Sequence, residues 1–411
     1  MKKLVMVFMM GLMLFSGAIT AASESLRDQI EAQEKRLSEL EKALAGTPSG
    51  GSQLAGVINR RFTLRSEDGD YSMSFRGRVH FKGQFPMSGP ADAADNEYLQ
   101  LRRIRTCVEG VLAQHYEYKI EYDFGRGSAG LTDGFLGLTH FDNAKIRMGR
   151  FKVPFMVEEL TSSNSIRFVE RSMLARFAPS RQIGINVRGG GSGFNYVAGV
   201  FDGAVNGEYM VAGRITMGAG NFRLGANALS ENNEGSSSLL DFRTELGTRW
   251  FQYDGATRSD GSRTQFGADI SYWGTPFGFV AEYIMGKQDV AYETRTASLT
   301  NHGWYVQASY VLTGENASAG GVTPANDFVP GSGMGAFEIA LRYASLSTDS
   351  DAHHFASSSS VESATAITAG LNWYMSRHAK FMLNYIHTAF DEKIGGDKSE
   401  SGILFRMQLS F

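Results

Sequence analysis

Ser401-Gly-Ile-Leu-Phe-Arg-Met-Gln-Leu-Ser-Phe411 carries a strict period of two. Ile403, Phe405, Met407, Leu409 and Phe411 fall on one face, and Leu404, Arg406, Gln408 and Ser410 fall on the other. Successive strand side chains point to opposite faces, so this segment suits a wall with lipid on one side and water on the other. A soluble β-sandwich can also end on a strand. The rest of the chain has to separate the two.

The N-terminal region reads differently. Residues 1–22 resemble an export signal: Lys2 and Lys3 supply positive charge, Leu4 to Phe15 form a short apolar run, and small residues lead to Ala21-Ala22-Ser23. A retained anchor is the competing reading. Nothing later in the chain reaches the ~20 consecutive apolar residues of a membrane helix. The one cysteine, Cys107, excludes an intramolecular disulfide framework and a Cys-rich metal site, and it lies too far from the cleavage region to be a lipoprotein cysteine. Residues 23–46 are expected to form a periplasmic coiled-coil helix. Leu26, Ile30, Gln33, Leu37, Leu40 and Leu44 keep the four-three spacing of a heptad seam, with Gln33 as a register-setting polar residue. The alternative is a lone amphipathic helix packed on the rest of the protein. Gly46-Thr47-Pro48-Ser49-Gly50-Gly51 stops the helix and opens a linker over 47–70.

From residue 71 onward the period is two. Tyr71, Met73, Phe75, Val79 and Phe81 oppose Ser72, Ser74, Arg76, Arg78, His80 and Lys82; Tyr116, Tyr118, Ile120, Tyr122 and Phe124 oppose Glu117, Lys119, Glu121 and Asp123. Further strands read near 99–112, 131–141, 145–151, 182–189, 193–202, 208–217, 221–230, 263–273, 277–288, 302–313, 335–347, 361–375, 379–390 and 401–411. A mean hydropathy of only −0.21 fits strands that give half their side chains to water. Short links recur at Gln114-His115, Asp142 to Ala144, Gly190 to Ser192, Gly218 to Gly220, Thr275-Pro276 and Ser376 to His378. Placing 240–252 in a long external loop keeps short and long connections alternating and leaves about sixteen strands, an even number. Gly314 to Met334 is then a long loop on the short-turn side. The expected fold is an all-β transmembrane barrel of about sixteen antiparallel strands over 71–411, in the outer membrane of a Gram-negative bacterium. A barrel of that size leaves room for water, so a pore is the default role.

Resolving charge by face gives the pore a sign. The inward sets include Arg76, Arg78, Lys82, Arg103, Arg105, Lys119, Lys145, Arg147, Arg188, Arg214, Arg223 and Arg342, against Glu109, Glu117, Glu121, Asp123, Asp269, Glu282 and Glu338. Base outweighs acid inside although the whole chain carries −3. Rings of Arg and Lys in a low-dielectric wall concentrate anions, and the guanidinium fork matches phosphate oxygens. Transverse ion pairing inside the barrel is the plainer reading of the same residues. The long loop Lys152 to Arg181 carries Arg167, Arg171 and Arg176 beside Phe155, Ile166, Phe168, Met173, Leu174 and Phe177, a composition suited to folding inward as a constriction.

No His-Glu-x-x-His, Gly-x-Ser-x-Gly, P-loop or Cys-x-x-Cys motif is present, so neither a catalytic site nor a cofactor is expected. His353-His354 sit in a Ser-rich loop and read as solvated rather than metal-binding. Gly189 to Gly193 reads as a turn.

Several segments taken in order resemble the phosphate-selective porin O and P family. They are Leu101-Arg-Arg-Ile-Arg105 with Glu109-Gly110, Tyr118-Lys-Ile-Glu-Tyr-Asp-Phe124, Ile146-Arg-Met-Gly-Arg-Phe-Lys-Val-Pro154, Val169-Glu-Arg-Ser172, Arg181-Gln-Ile-Gly184, Gly335-Ala-Phe-Glu-Ile-Ala-Leu-Arg-Tyr343, Leu371-Asn-Trp-Tyr374 and Asn384-Tyr-Ile-His387. The resemblance implies a homotrimer of sixteen-stranded barrels, lined by arginine and lysine and passing phosphate-type inorganic anions. Arg102-Arg103 match the family's basic pair, although strict alternation turns only Arg103 and Arg105 inward. The functions to weigh are an anion porin, a general porin without phosphate preference, and a structural barrel whose coil tethers the outer membrane to peptidoglycan. Nucleic acid is not an expected partner.

If the heptads of 24–45 support a trimer, deleting them should weaken the oligomer in detergent and leave the heat-resistant barrel intact. Native gels with and without heating check this. An oligomer of unchanged stability would assign the coil to cell-wall contact instead.

Overall fold

Sixteen strands join into one closed antiparallel barrel in a computed structural model that describes residues 32–36, 38, 54–55, 62–90, 98–203 and 207–411. The first eight are β1 (Ser72–Ser88), β2 (Tyr98–Leu112), β3 (Tyr116–Asp123), β4 (Gly130–Leu138), β5 (Lys145–Lys152), β6 (Arg181–Gly191), β7 (Phe194–Asp202) and β8 (Tyr209–Ala219). The second eight are β9 (Phe222–Asn232), β10 (Arg258–Trp273), β11 (Phe277–Tyr292), β12 (Arg295–Val311), β13 (Ala336–Ser347), β14 (Ser363–Tyr374), β15 (Ala379–Ile394) and β16 (Asp397–Ser410). Each strand read from the sequence has its counterpart.

The chain divides into Met1–Leu54 and Ala55–Phe411. In the first unit, residues 32–36 and 38 are helical and exposed, Gln33 among them. Leu26, Ile30, Leu37, Leu40 and Leu44, the export signal and most of the linker lie outside the described residues.

β16 closes on β1 from Gly402↔Pro86 to Ser410↔Arg78, and the Phe411 amide and carbonyl both bond to Gly77, at 3.0 and 2.9 Å. The rings of Phe405 and Phe411 lie over Gly83 and Gly77, where any Cβ would overlap them. Those two glycines let the aromatic rings lie across the seam. Along β16 the burial alternates as the sequence requires: Leu404, Arg406 and Gln408 are buried inside, while Leu409 and Phe411 are exposed outside.

Two features depart from the sequence reading. The linker 47–70 is not structureless throughout, because Phe62–Ser66 forms a strand on the edge of β1, paired from Phe62↔Phe75 to Arg65↔Ser72. That pairing covers backbone of β1 that β16 is too short to reach. The second departure is a β-bulge. The β1–β2 register steps from His80↔Arg103 to Phe81↔Leu101, skipping Arg102. One extra residue resets alternation, so Leu99 and Leu101 face outward and Arg102 joins Arg103 in facing inward.

The two halves of the wall differ inside. Inward positions of β1–β6 are mostly charged, whereas β11–β16 bury Val280, Ile284, Tyr305, Leu346, Ala366, Met382, Ile386 and Phe390 on the lumen face. The inner face of that half carries apolar patches between buried polar groups such as Glu282, Arg342 and Lys380, and something must cover them.

Deleting Phe411, or replacing Gly83 by Val, should lower the yield of heat-modifiable barrel in the outer membrane more than a similar change on an exposed loop. An unpaired edge in lipid costs several kcal/mol per orphaned backbone group. Normal membrane levels of both variants would remove the seam from its proposed place in assembly.

Candidate permeation pathway

The cover over that half-wall is the chain between β5 and β6. It leaves the barrel wall at Val153, makes one helical turn at Val157–Leu160 and a 3-10 segment at Met173–Phe177, and returns at Arg181. Phe155, Met156, Phe168, Val169, Leu174 and Phe177 are almost fully buried. The wall meets them with glycines. A Cβ at Gly286 would stand 3.1 Å from the Phe177 ring, at Gly303 3.2 Å from Leu174, and at Gly370 3.3 Å from Phe168. The absence of side chains there lets the loop lie flat on β11–β16.

Polar clamps fix its height in the lumen. Glu282 of β11 accepts from the amides of Val157 (2.6 Å) and Glu158 (3.2 Å). Glu158 pairs with Arg342 of β13 at 2.9 Å and accepts from the Ser172 hydroxyl at 2.6 Å. Lys380 donates to the Ile166 carbonyl at 3.0 Å, Arg406 to those of Val169 and Ser163 at 3.2 and 3.3 Å, and Asn384 accepts from the Val169 amide at 2.6 Å. Several wall cations are thus used on loop carbonyls.

A second inward element was not anticipated. The segment between β9 and β10, expected as an external loop, buries Leu240, Phe242, Leu246, Trp250 and Phe251. Phe242 packs on Phe177 with ring centroids 5.2 Å apart and stacks on Trp250. Glu245 pairs with Arg342 at 2.8 Å, so one arginine joins both loops to the wall. The signal was present in the aromatic content of Phe242, Trp250, Phe251 and Tyr253, which is out of place in a solvated loop.

The loops fill the β11–β16 side and leave open the side lined by β1–β8. A cavity of about 840 Å³ runs there from Ser72 and Glu117, at the short-turn rim, to Lys152 and Arg181 where the loop departs. Ten of its lining residues are basic (Arg78, Arg103, Arg105, Lys119, Arg147, Lys152, Arg171, Arg181, Arg188, Arg214) and five are acidic (Glu109, Glu117, Glu121, Asp133, Glu159). Loop residues Leu160 and Ser162 with wall residue Arg214 are shared with a second cavity of about 340 Å³, which Arg167, Arg223 and Arg342 also line.

The sequence-predicted cations divide sharply by environment. Arg78, Arg105 and Lys119 gather on Glu121, at 3.2, 3.1 and 3.6 Å; Arg105 also holds Asp123 at 2.7 Å, and Lys119 holds Asp133 at 2.8 Å. Arg147 pairs with Glu117 at 3.2 Å and lies over the Phe135 ring, 3.9 Å from its centroid. Arg76 pairs with Glu109. Lys145 is exposed near the short-turn rim, opposite Arg188. Lys82 and Arg102 both meet Glu170 of the inward loop at 3.0 Å. Burial alone would raise the Glu170 carboxyl, but Lys82 and Arg102 hold it well below its usual range, so it stays ionised. Arg103 is 6% exposed and has no carboxylate within 4 Å among the described residues.

The three loop arginines have separate environments. Arg171 lines the larger cavity while bonding Glu159 (3.3 Å) and loop carbonyls. Arg167 is buried against Glu338 (3.3 Å) and Trp273, beside the smaller cavity. Arg176 is half-exposed and, among the described residues, pairs only with Asp241, at 3.9 Å. The His353 and His354 rings lie 3.8 Å apart and tilted by 42°, and no group of three metal-ligating side chains occurs among the described residues.

The family model for phosphate-selective porin O and P matches residues 75–411. The chain belongs to that family. This places it among porins of the Gram-negative outer membrane. The porin's barrel is similar to OmpT, an outer-membrane protein of Vibrio cholerae (TM-score 0.56, 10% identity, covering 83% of this chain and 98% of that one). It is also similar to an anion-selective porin from Comamonas acidovorans (0.54, 13%, 83% and 100%) and to the outer-membrane channel DcaP of Acinetobacter baumannii (0.53, 14%, 84% and 99%). At these identities the likeness is one of fold. No curated protein matches the porin by sequence.

Because the loop rests on bare backbone, Gly303→Leu should push the porin's inward loop toward β1–β8 and lower single-channel conductance severalfold, with the barrel still folded. Overpacking of this kind typically costs about 1–3 kcal/mol. Conductance equal to wild type would show that the loop does not bound the open side.

Proposed function

We propose that this porin is a passive, anion-preferring channel that takes phosphate-type oxyanions along the β1–β8 side, assembled as a homotrimer. The observation that carries the reading is the two-to-one excess of basic over acidic residues around the larger cavity. Charge of one sign in a narrow, low-dielectric lumen raises the local concentration of the opposite ion. Arg78, Arg103, Arg105, Lys119 and Arg147 are the wall residues proposed to line the path, with Arg171 on the loop; Arg76, Lys82 and Lys145 contribute to the field beside it. Arg167 fits the smaller chamber, and Arg176 fits a tie between the two inward loops. Trimeric outer-membrane proteins occur among the similar barrels, and the Comamonas porin is anion-selective, which supports both parts of the proposal. Peptidoglycan contact through the coil belongs to the same proposal.

A general porin without phosphate preference is the second reading, and the pairing favours it. Arg76, Arg105, Lys119 and Arg147 each spend their charge on a neighbouring carboxylate. Several moderate sites in series, rather than one tight one, suit permeation in either case.

Replacing Arg103 and Arg105 by Glu should move the reversal potential in a potassium chloride gradient toward cation preference and reduce chloride conductance. The same change at Arg258, at the outer end of β10, should do little. Equal shifts at both places would make the bulk field responsible, and no shift at either would remove the anion reading.

A further inference from the structure

Strand register builds the floor of the smaller cavity, the one of about 340 Å³ under the inward loop. Arg223 of β9 lies directly opposite Ser271 of β10, Ser271 opposite Val280 of β11, and Val280 opposite Gln307 of β12. Residues opposed in this way stand about 4.5–5.5 Å apart, so the four form one row across the inner face. Trp273 follows Ser271 on the same face and is half-buried. The inward loop covers the row with Val157, Leu160 and Phe168.

The four arginines of this chamber are not equivalent. Arg214 is held by Asp269 through two bonds of 2.6 and 2.9 Å. Arg342 is shared by Glu158 and Glu245, at 2.9 and 2.8 Å. Arg167 pairs with Glu338 at 3.3 Å, donates to the Ser318 carbonyl and lies over the Trp273 ring, 4.2 Å from its centroid. Arg223 differs from all three. It is exposed to the lumen and, among the described residues, has neither a carboxylate within 4 Å nor a side-chain hydrogen bond.

One free guanidinium at the end of a largely apolar slot defines a kind of ligand. An inorganic oxyanion asks for several donors at once, and against Val280, Trp273 and Phe168 it would lose hydration without replacement. A carboxylate carried on a flat apolar body fits better. The Arg223 fork can take both carboxylate oxygens, with the Ser271 hydroxyl opposite, while a ring displaces water from the Trp273 and Val280 wall. Small-molecule sites combine a mostly apolar lining with a few placed polar groups in the same way.

We propose that this chamber binds small aromatic carboxylates, a solute class separate from the phosphate-type anions assigned to the larger cavity. Arg223 engages the carboxylate, and Trp273 and Val280 engage the ring. Leu160, Ser162 and Arg214 border both cavities, so a bound ring stands beside the ion path and obstructs part of it. The site depends on the chamber opening into the lumen, not on the sign of the channel.

The test is block of chloride current by benzoate and by acetate, measured with full-length protein in planar bilayers. In the wild type the half-blocking concentration of benzoate should lie about tenfold or more below that of acetate, because the ring alone separates the two. Trp273→Leu should close that gap, and Arg223→Gln should raise the half-blocking benzoate concentration severalfold. Equal block by the two acids in the wild type overturns the proposal, and so does a gap that survives both substitutions. If Trp273→Leu yields no channels, Arg223→Gln decides, since the exposed Arg223 side chain is no part of the buried core; unchanged benzoate block then overturns the site. Chloride preference is read separately, from the reversal potential, so failure of the anion reading is distinguishable from failure of this site.

Discussion

A strand in hydrocarbon has no water to satisfy its amides, so every backbone group in this barrel depends on closure of β16 against β1. The seam is made by a ladder that ends on the Phe411 amide and carbonyl, and by two aromatic rings lying on Gly77 and Gly83. The strand Phe62–Ser66 extends the same logic below the seam, where β1 outruns its partner. Once the cylinder is closed, the chemistry of its inner surface is free to differ from one side to the other.

It does differ. One half of the inner wall is mostly charged and faces the open side, and the other half mixes apolar patches with buried charged clamps under two inward loops. The loops are held by glycine contacts and by wall cations that donate to carbonyls, with Arg342 joined to Glu158 of one loop and Glu245 of the other. The open side is therefore defined by what fills the closed side. A lumen that would otherwise be wide is reduced to a cavity beside β1–β8, where the basic side chains have short reach to a passing ion.

Much of this was legible in the sequence. Period-two alternation gave all sixteen strands, because lipid and water impose opposite demands on adjacent residues of a thin wall. The inward loop was legible from Phe155, Phe168 and Phe177 among its arginines. Three things were not. Arg102 faces inward only through a bulge, and strict alternation cannot anticipate one extra residue. The second inward loop reads as external from its length and position, although Trp250 and Phe251 argue for burial. Which arginines are free depends on acids from neighbouring strands and from the loop, such as Glu121 and Glu170, whose proximity is set by register rather than by spacing along the chain. A usable clue was available in β11 and β15, where Val280, Ile284, Met382 and Ile386 put apolar side chains on the face expected to meet water.

Those apolar patches also make the molecule two materials in one. Surface buried between β11–β16 and the loops is withdrawn from water, not transferred from lipid, so it carries the heat-capacity signature of a soluble core. The lipid-facing band carries none of that until the barrel leaves the membrane. The loop-covered side should thus respond to temperature and denaturant as a globular domain does, while the charged side responds mainly to ionic strength, since salt at about 0.1 M screens exposed charges beyond about 10 Å. A single continuous sheet joins the two, and mechanical coupling through its hydrogen bonds is the route by which softening of one side would alter the shape of the passage on the other.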